Sequence, residues 1–167
     1  MEGGELLELA RRIKKKISPS TKLFINDRSD VAVLSADGVH CPSDGINAPF
    51  IERFAFQFNK KFLISRSVHS LIEAAVSENL GFSYLIFGPV FETSSKLKYG
   101  RPHGLENLND VCESVDIPVF AVGGINTDNA ADCIKAGASG VAVVSALMQS
   151  DNIRHTVRSF SKALGGL

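Results

Sequence analysis

Six short apolar runs punctuate this chain, and helical patterns fill most of the gaps between them. The runs are Lys22–Ile25, Gly38–His40, Phe62–Ser65, Tyr84–Phe87, Val119–Val122 and Val141–Val144. Helical spacing of apolar residues marks Glu5–Ile17, Ser70–Leu80 and Asn129–Ala136. The stretch Ala48–Lys60 contains FAFQF, which also suits a strand, but its place between two strands favours a helix. Continuous apolar strands alternating with helices predict an α/β fold with a parallel sheet covered by helices. The expected architecture is a TIM-barrel-type (β/α) sheet. A closed barrel of this type needs eight strands and typically about 250 residues. With 167 residues, the chain is expected to form one N-terminally shortened domain over 1–167. Residues 1–20 would be a helix from a preceding βα unit.

The last two strands carry the strongest chemical signal. Val119–Val122 runs into Gly123 and Gly124, and the turn Asn126-Thr127-Asp128-Asn129 offers several helix caps. The next strand, Gly140–Val144, ends at Ser145. Glycine lets a phosphate reach the bare backbone, and N–H groups at a helix start attract an anion. Two successive loops of this kind suit a phosphate site on adjacent barrel strands. Tight turns alone would also account for the glycines.

Eighteen basic and eighteen acidic residues cancel. No global field therefore favours nucleic acid or a membrane surface. No apolar run is long enough to span a bilayer. The opening MEGGELLELARRIKKK is too charged for a signal peptide and suits an amphipathic helix. Lys14, Lys15 and Lys16 are expected to be its solvated end. Cys41, Cys112 and Cys133 form no CxxC pair, so reduced thiols, a cytoplasmic location and no structural metal are expected.

In a parallel barrel the loops after the strands line the site. Asn26, Asp27 and Arg28 follow the first strand, His40 to Asp44 the second, and Ser67 to His69 the third. The fourth strand leads into a loop of about 17 residues, Gly88 to Gly104, and loops this long are usually functional or disordered. Its Thr93, Ser94, Ser95 and Lys96 set hydroxyls beside an ammonium, which suits a phosphate or pyrophosphate. Asp27 and Asp44 are the candidate Mg2+ carboxylates, since Mg2+ takes one or two carboxylates plus phosphate oxygens. The SDG at 43–45 is equally a turn signal. His40 and His69 lack metal-ligand spacing, so a positioning hydrogen bond is expected of each.

Taken in order, FINDR at 24–28, ADGVH at 36–40, SRSVHS at 65–70, FGPVFETSSK at 87–96 and the run 118–147 resemble the thiamine phosphate synthase and TenI family. The resemblance covers nearly the whole chain from Lys22 onward. It implies a transferase that joins hydroxymethylpyrimidine pyrophosphate to thiazole phosphate and releases pyrophosphate, with Mg2+ as cofactor. It further implies that Asn26 contacts the pyrimidine pyrophosphate, that Asp27 holds Mg2+ and that Ser67 binds the leaving pyrophosphate. Thr93 and Ser95 would bind the thiazole phosphate, Lys96 the pyrophosphate, and Gly124, Val144 and Ser145 the remaining phosphate oxygens. Lys96 and Asp27 would carry the catalysis.

Three departures accompany the resemblance. The family's Q-x-R-x-K motif has no counterpart in these residues, and the sheet is expected to lack its first two strands. The second metal aspartate falls on Gly45, with Asp44 one residue earlier. SVHS and FETSSK resemble the TenI branch more closely, but Pro89 stands where the thiazole tautomerases of that branch carry a histidine, which favours a synthase. Tautomerase activity and non-catalytic binding of thiazole phosphate or thiamine phosphate are the alternatives. An open sheet edge invites association, so a homo-oligomer is expected.

Overall fold

The computed structural model describes residues 2–93 and 101–166. It opens with helix α1 (Gly3–Lys14), followed by β1 (Phe24–Asn26), α2 (Ser29–Ser35) and β2 (Gly38–Cys41). Next come α3 (Ala48–Phe56), β3 (Leu63–Val68), α4 (Leu71–Asn79) and β4 (Tyr84–Phe87). The chain continues through α5 (Gly104–Ser114), β5 (Val119–Val122), α6 (Ala130–Lys135) and β6 (Gly140–Ala142), then α7 (Ser145–Met148) and α8 (Ile153–Ala163). The six strands pair in parallel in the order β1-β2-β3-β4-β5-β6. The TIM-barrel-type α/β expectation holds, with a curled half-barrel sheet.

Register explains the two unlike faces of this sheet. Ile25 pairs Val39, Val39 pairs Ile64, and Leu85 pairs Val119. All five side chains are buried under the helices. Removing such apolar surface from water contributes about 1.5–3 kcal/mol per Val, Leu or Ile. The alternate residues, Asn26, His40, Ser65 and Tyr84, also stand in register, and they share the concave face.

Curvature is visible in one contact. Phe24 on β1 and Tyr84 on β4 meet edge to face with ring centroids 5.4 Å apart. Two strands lie between them, so a flat sheet would hold their backbones about 14 Å apart. Tyr84 also meets Phe120 at 5.3 Å. Gly38 makes this layer possible, because a Cβ there would fall 2.3 Å from the Phe24 ring.

Several element ends differ from expectation. α1 stops at Lys14, not Ile17, and the Lys14 ammonium is not merely solvated. It pairs with Asp37 at 2.5 Å. β1 includes Asn26 and β3 runs on to Val68, so Asn26 and Ser67 are strand residues. β6 ends at Ala142, two residues before Val144. The 48–60 stretch is helical over Ala48–Phe56 only. Among the described residues, no helix is long and apolar enough to cross a membrane.

Candidate active site

The tip of β5 is shaped by backbone demands. Gly123 and Gly124 have φ of 98° and 65°, where a Cβ would be strained. Space forbids one as well. A Cβ on Gly124 would lie 2.4 Å from the Glu92 carbonyl oxygen, and one on Gly123 2.6 Å from Pro89 Cα. The glycines therefore allow the segment after β4 to lie directly on the β5 loop. Two hydrogen bonds seal that approach: Val90 N–H donates to Val122 O at 2.9 Å, and Phe91 N–H to Gly123 O at 3.0 Å.

This approach roofs a cavity of about 180 Å³ whose walls include Pro89, Thr93, Gly123, Gly124, Val144 and Ser145. Thr93, Gly124, Val144 and Ser145, drawn from three loops, thus share one cavity. Ser145 opens the four-residue helix α7, and both it and Val144 are exposed. Val144 O accepts the N–H groups of Leu147 and Met148 at 3.1 and 2.9 Å, so only the first two N–H groups of α7 belong to its open end. The start of α6 behaves otherwise. Asn126 Oδ1 accepts the N–H groups of Asp128 and Asn129, and Asn126 O accepts that of Ala130. The expected side-chain cap is not made: Asn129, at the N-cap, has no cap hydrogen bond, and the Asn126 side chain instead closes the turn before the helix. Ser95 and Lys96 lie outside the described residues.

The tips of β1 to β3 are built from side chains. His40 on β2 spans two serines of β3, with Nδ1 and Nε2 each 2.9 Å from the hydroxyls of Ser65 and Ser67. Ser65 and Ser67 alternate along the strand, so both face the concave side. This S-x-S period within SRSVHS was the available signal for Ser65, which no motif singles out. Asn26 stands beside His40 in register and is exposed.

Asp27 follows immediately, with φ of 58°. Its N–H donates to His40 O, and Arg28 N–H reaches back to Asn26 O, both at 2.8 Å. That three-residue turn holds a non-glycine residue in the left-handed region, and strain of this kind clusters at functional sites. Arg28 is engaged by Asp30 through two hydrogen bonds of 2.9 and 2.7 Å. The Asp30 hydrogen bond, then its charge, raise the guanidinium pKa.

Asp44 sits in a turn closed by Gly45 N–H on Pro42 O at 3.0 Å. The Arg66 guanidinium fastens the same turn, donating to Ser43 O and, at 3.3 Å, to Asn47 Oδ1. The turn reading of SDG therefore holds, and Asp44 stands on it exposed. Asp27 and Asp44 follow adjacent strands. Among the described residues no cluster of three or more His, Cys, Asp or Glu could hold a metal. Mg2+ needs only one or two carboxylates and leaves its other positions to phosphate oxygens and water, so the exposed Asp27 and Asp44 would suit it. Cys41, buried nearby, has its thiol pushed up to about 11, chiefly by burial. Burial and the raised thiol pKa both disfavour the nucleophilic thiolate.

Comparison with known proteins places this geometry in context. A family model described as thiamine monophosphate synthase matches residues 1–147. The thiamine-phosphate synthase of Chloroflexus aurantiacus is 40% identical over 158 residues, covering 94% of this chain and 68% of its own length. That of Pyrococcus furiosus is 37% identical over 160 residues, covering 95% and 75% respectively. The solved thiamine phosphate pyrophosphorylase from Pyrococcus furiosus superposes with a TM-score of 0.84 at 34% identity, over 98% of this chain and 78% of that one. A 3-hexulose-6-phosphate synthase superposes at 0.73 with 17% identity, over 95% of this chain and 81% of that one, a likeness of fold alone.

Proposed function

Because this chain belongs to the thiamine monophosphate synthase family, we propose that its concave face joins hydroxymethylpyrimidine pyrophosphate to thiazole phosphate. The thiazole nitrogen forms a bond to the pyrimidine methylene carbon. The bond from that carbon to the pyrophosphate oxygen breaks, and pyrophosphate leaves with the electron pair. Thiamine phosphate and pyrophosphate are the products. The observation that carries this reading is the single cavity shared by Thr93, Gly124, Val144 and Ser145.

In this proposal the cavity between the β5 and β6 tips receives the thiazole phosphate. Backbone amides near Gly124 and Ser145, with the hydroxyls of Thr93 and Ser145, face its oxygens. The β1 to β3 tips receive the pyrimidine pyrophosphate. Asn26 contacts it, and Ser67, oriented through His40, donates to the departing pyrophosphate. Asp27 and Asp44 would hold Mg2+, which when bound neutralises charge building on the leaving group. Ser95 and Lys96 are proposed as further phosphate and pyrophosphate contacts on the family resemblance. Catalysis here is positioning and charge stabilisation, with little need for a general base. Pro89 in the cavity wall supports a synthase over a tautomerase, because the ring supplies no titratable group.

The test is turnover with both substrates and Mg2+. The expected outcome is equal yields of thiamine phosphate and pyrophosphate. Binding of thiamine phosphate without turnover would replace this reading with that of a binding protein.

A further inference from the structure

The segment that roofs the phosphate cavity is held at its root by a histidine outside the cavity. His69 follows β3 and precedes α4. Its Nδ1 lies within hydrogen-bond distance of Gly88 O, the first residue after β4. A backbone carbonyl only accepts, so Nδ1 carries the proton of this bond. The backbone that carries the ring is fixed at the start of α4. The His69 backbone N–H donates to Glu73 Oε2 at 2.6 Å, while Ser70 caps α4 by accepting Glu73 N–H at 3.2 Å. The imidazole also stacks on that of His103, with centroids 6.1 Å apart, and His103 leans on Phe87 at 5.1 Å.

Gly88 leaves almost no slack. A Cβ there would fall 2.1 Å from Val122 O. From Gly88 the chain runs through the two hydrogen bonds that dock Val90 and Phe91 on Val122 and Gly123, and reaches Thr93 two residues later. The far end of the loop is tied to the same segment. His103 N–H donates to Pro89 O at 2.8 Å and Gly104 N–H to Val90 O at 3.0 Å.

We infer that His69 is a positioning residue for the thiazole phosphate: its Nδ1–H fixes Gly88 so that the 88–93 segment sets Thr93 over the cavity. The inference rests on the function proposed above. His69 touches no substrate in it. Loss of the bond leaves Gly88 O short of a partner and loosens one end of the roof. Ser67 lies two residues before His69 but is held by its own contact with His40 at 2.9 Å, so the pyrimidine pyrophosphate side is expected to keep its geometry.

The test uses His69→Asn, His69→Gln and His69→Leu in the full chain, assayed with both substrates and Mg2+. Asn carries an N–H close to the place of Nδ1, whereas the N–H of Gln lies further out. His69→Asn should keep the KM for thiazole phosphate within about twofold of wild type. Gln and Leu should raise it about tenfold, with the KM for the pyrimidine pyrophosphate unchanged. Simple loss of folded protein would lower kcat and move neither KM. If His69→Leu does not fold, the Asn and Gln pair decides alone. Equal impairment by Asn and Gln, or an unmoved KM in every variant, overturns the inference. If wild type does not turn over, the proposed reaction fails, and equilibrium dialysis of thiazole phosphate across the same variants decides the role of His69 by the same order. Absence of that binding in wild type overturns both.

Discussion

The tips of β5 and β6 and the tips of β1 to β3 serve one proposed pocket with different materials. At β5 and β6 the walls are largely backbone. Gly123 and Gly124 occupy positive-φ conformations that are costly for most other residues, and the 88–93 segment lies where their side chains would be. At β1 to β3 the same face is set by side chains: Asn26, His40, Ser65 and Ser67 along the strands, and the Asp27 carboxylate at the tip. A backbone-built site keeps its shape through most side-chain changes and fails when a Cβ is added. A side-chain site fails when one functional group is removed. The two halves should therefore respond to opposite kinds of mutation.

The largest effect is expected from Gly124→Ala. The left-handed conformation costs an alanine about 1–2 kcal/mol, and its Cβ would meet Glu92 O at 2.4 Å. The 88–93 segment must then lift, opening the cavity. Turnover should fall about a hundredfold, and the melting temperature by about 5–10 °C. A variant with normal KM for thiazole phosphate would show that the close approach of these loops is unnecessary. The backbone account of this half would then be wrong.

Asp27→Asn addresses the other half and should rank second. Asn and Asp are the non-glycine residues most at ease at positive φ, so the turn at 58° should survive. Only the charge is lost. The Mg2+ concentration for half-maximal turnover should rise about tenfold or more, with the melting temperature nearly unchanged. An unaltered Mg2+ dependence would remove Asp27 from the metal site and leave the side-chain half without its main charge.

The same contrast explains what could be read from the sequence. The alternation of strand and helix was legible because the outer sheet face is largely apolar, as at Val39, Ile64 and Leu85, with Arg66 an exception. The strand ends were not. Apolarity alone stops β1 at Ile25 and β3 at Ser65, yet the strands continue through Asn26 and Val68. The concave face admits polar residues that pair with one another, as His40 does with Ser65 and Ser67. Composition cannot separate those residues from a loop. The glycine pair at 123–124 was visible as a tight turn that a phosphate could approach. Its neighbour was not, since nothing local announces that residues 88–91 lie upon it. Contacts such as His69 to Gly88, 19 residues apart, depend on parallel neighbours meeting in space.

Ser145→Ala should have the smallest effect, and its size sharpens the comparison. The substitution removes one hydroxyl from the cavity wall and leaves the backbone of α7 in place. The N–H groups at the helix start, which carry the partial positive charge, are retained. Ser145 is exposed, so water can replace the lost hydroxyl in part. The KM for thiazole phosphate should rise only about three- to fivefold, the scale of one net hydrogen bond, with kcat little changed. Lys15→Ala, on the exposed end of the first helix, serves as the control and should move neither constant. A loss at Ser145 as large as that at Gly124 would mean that hydroxyls, not amides, hold the phosphate. The two halves of the pocket would then be built alike.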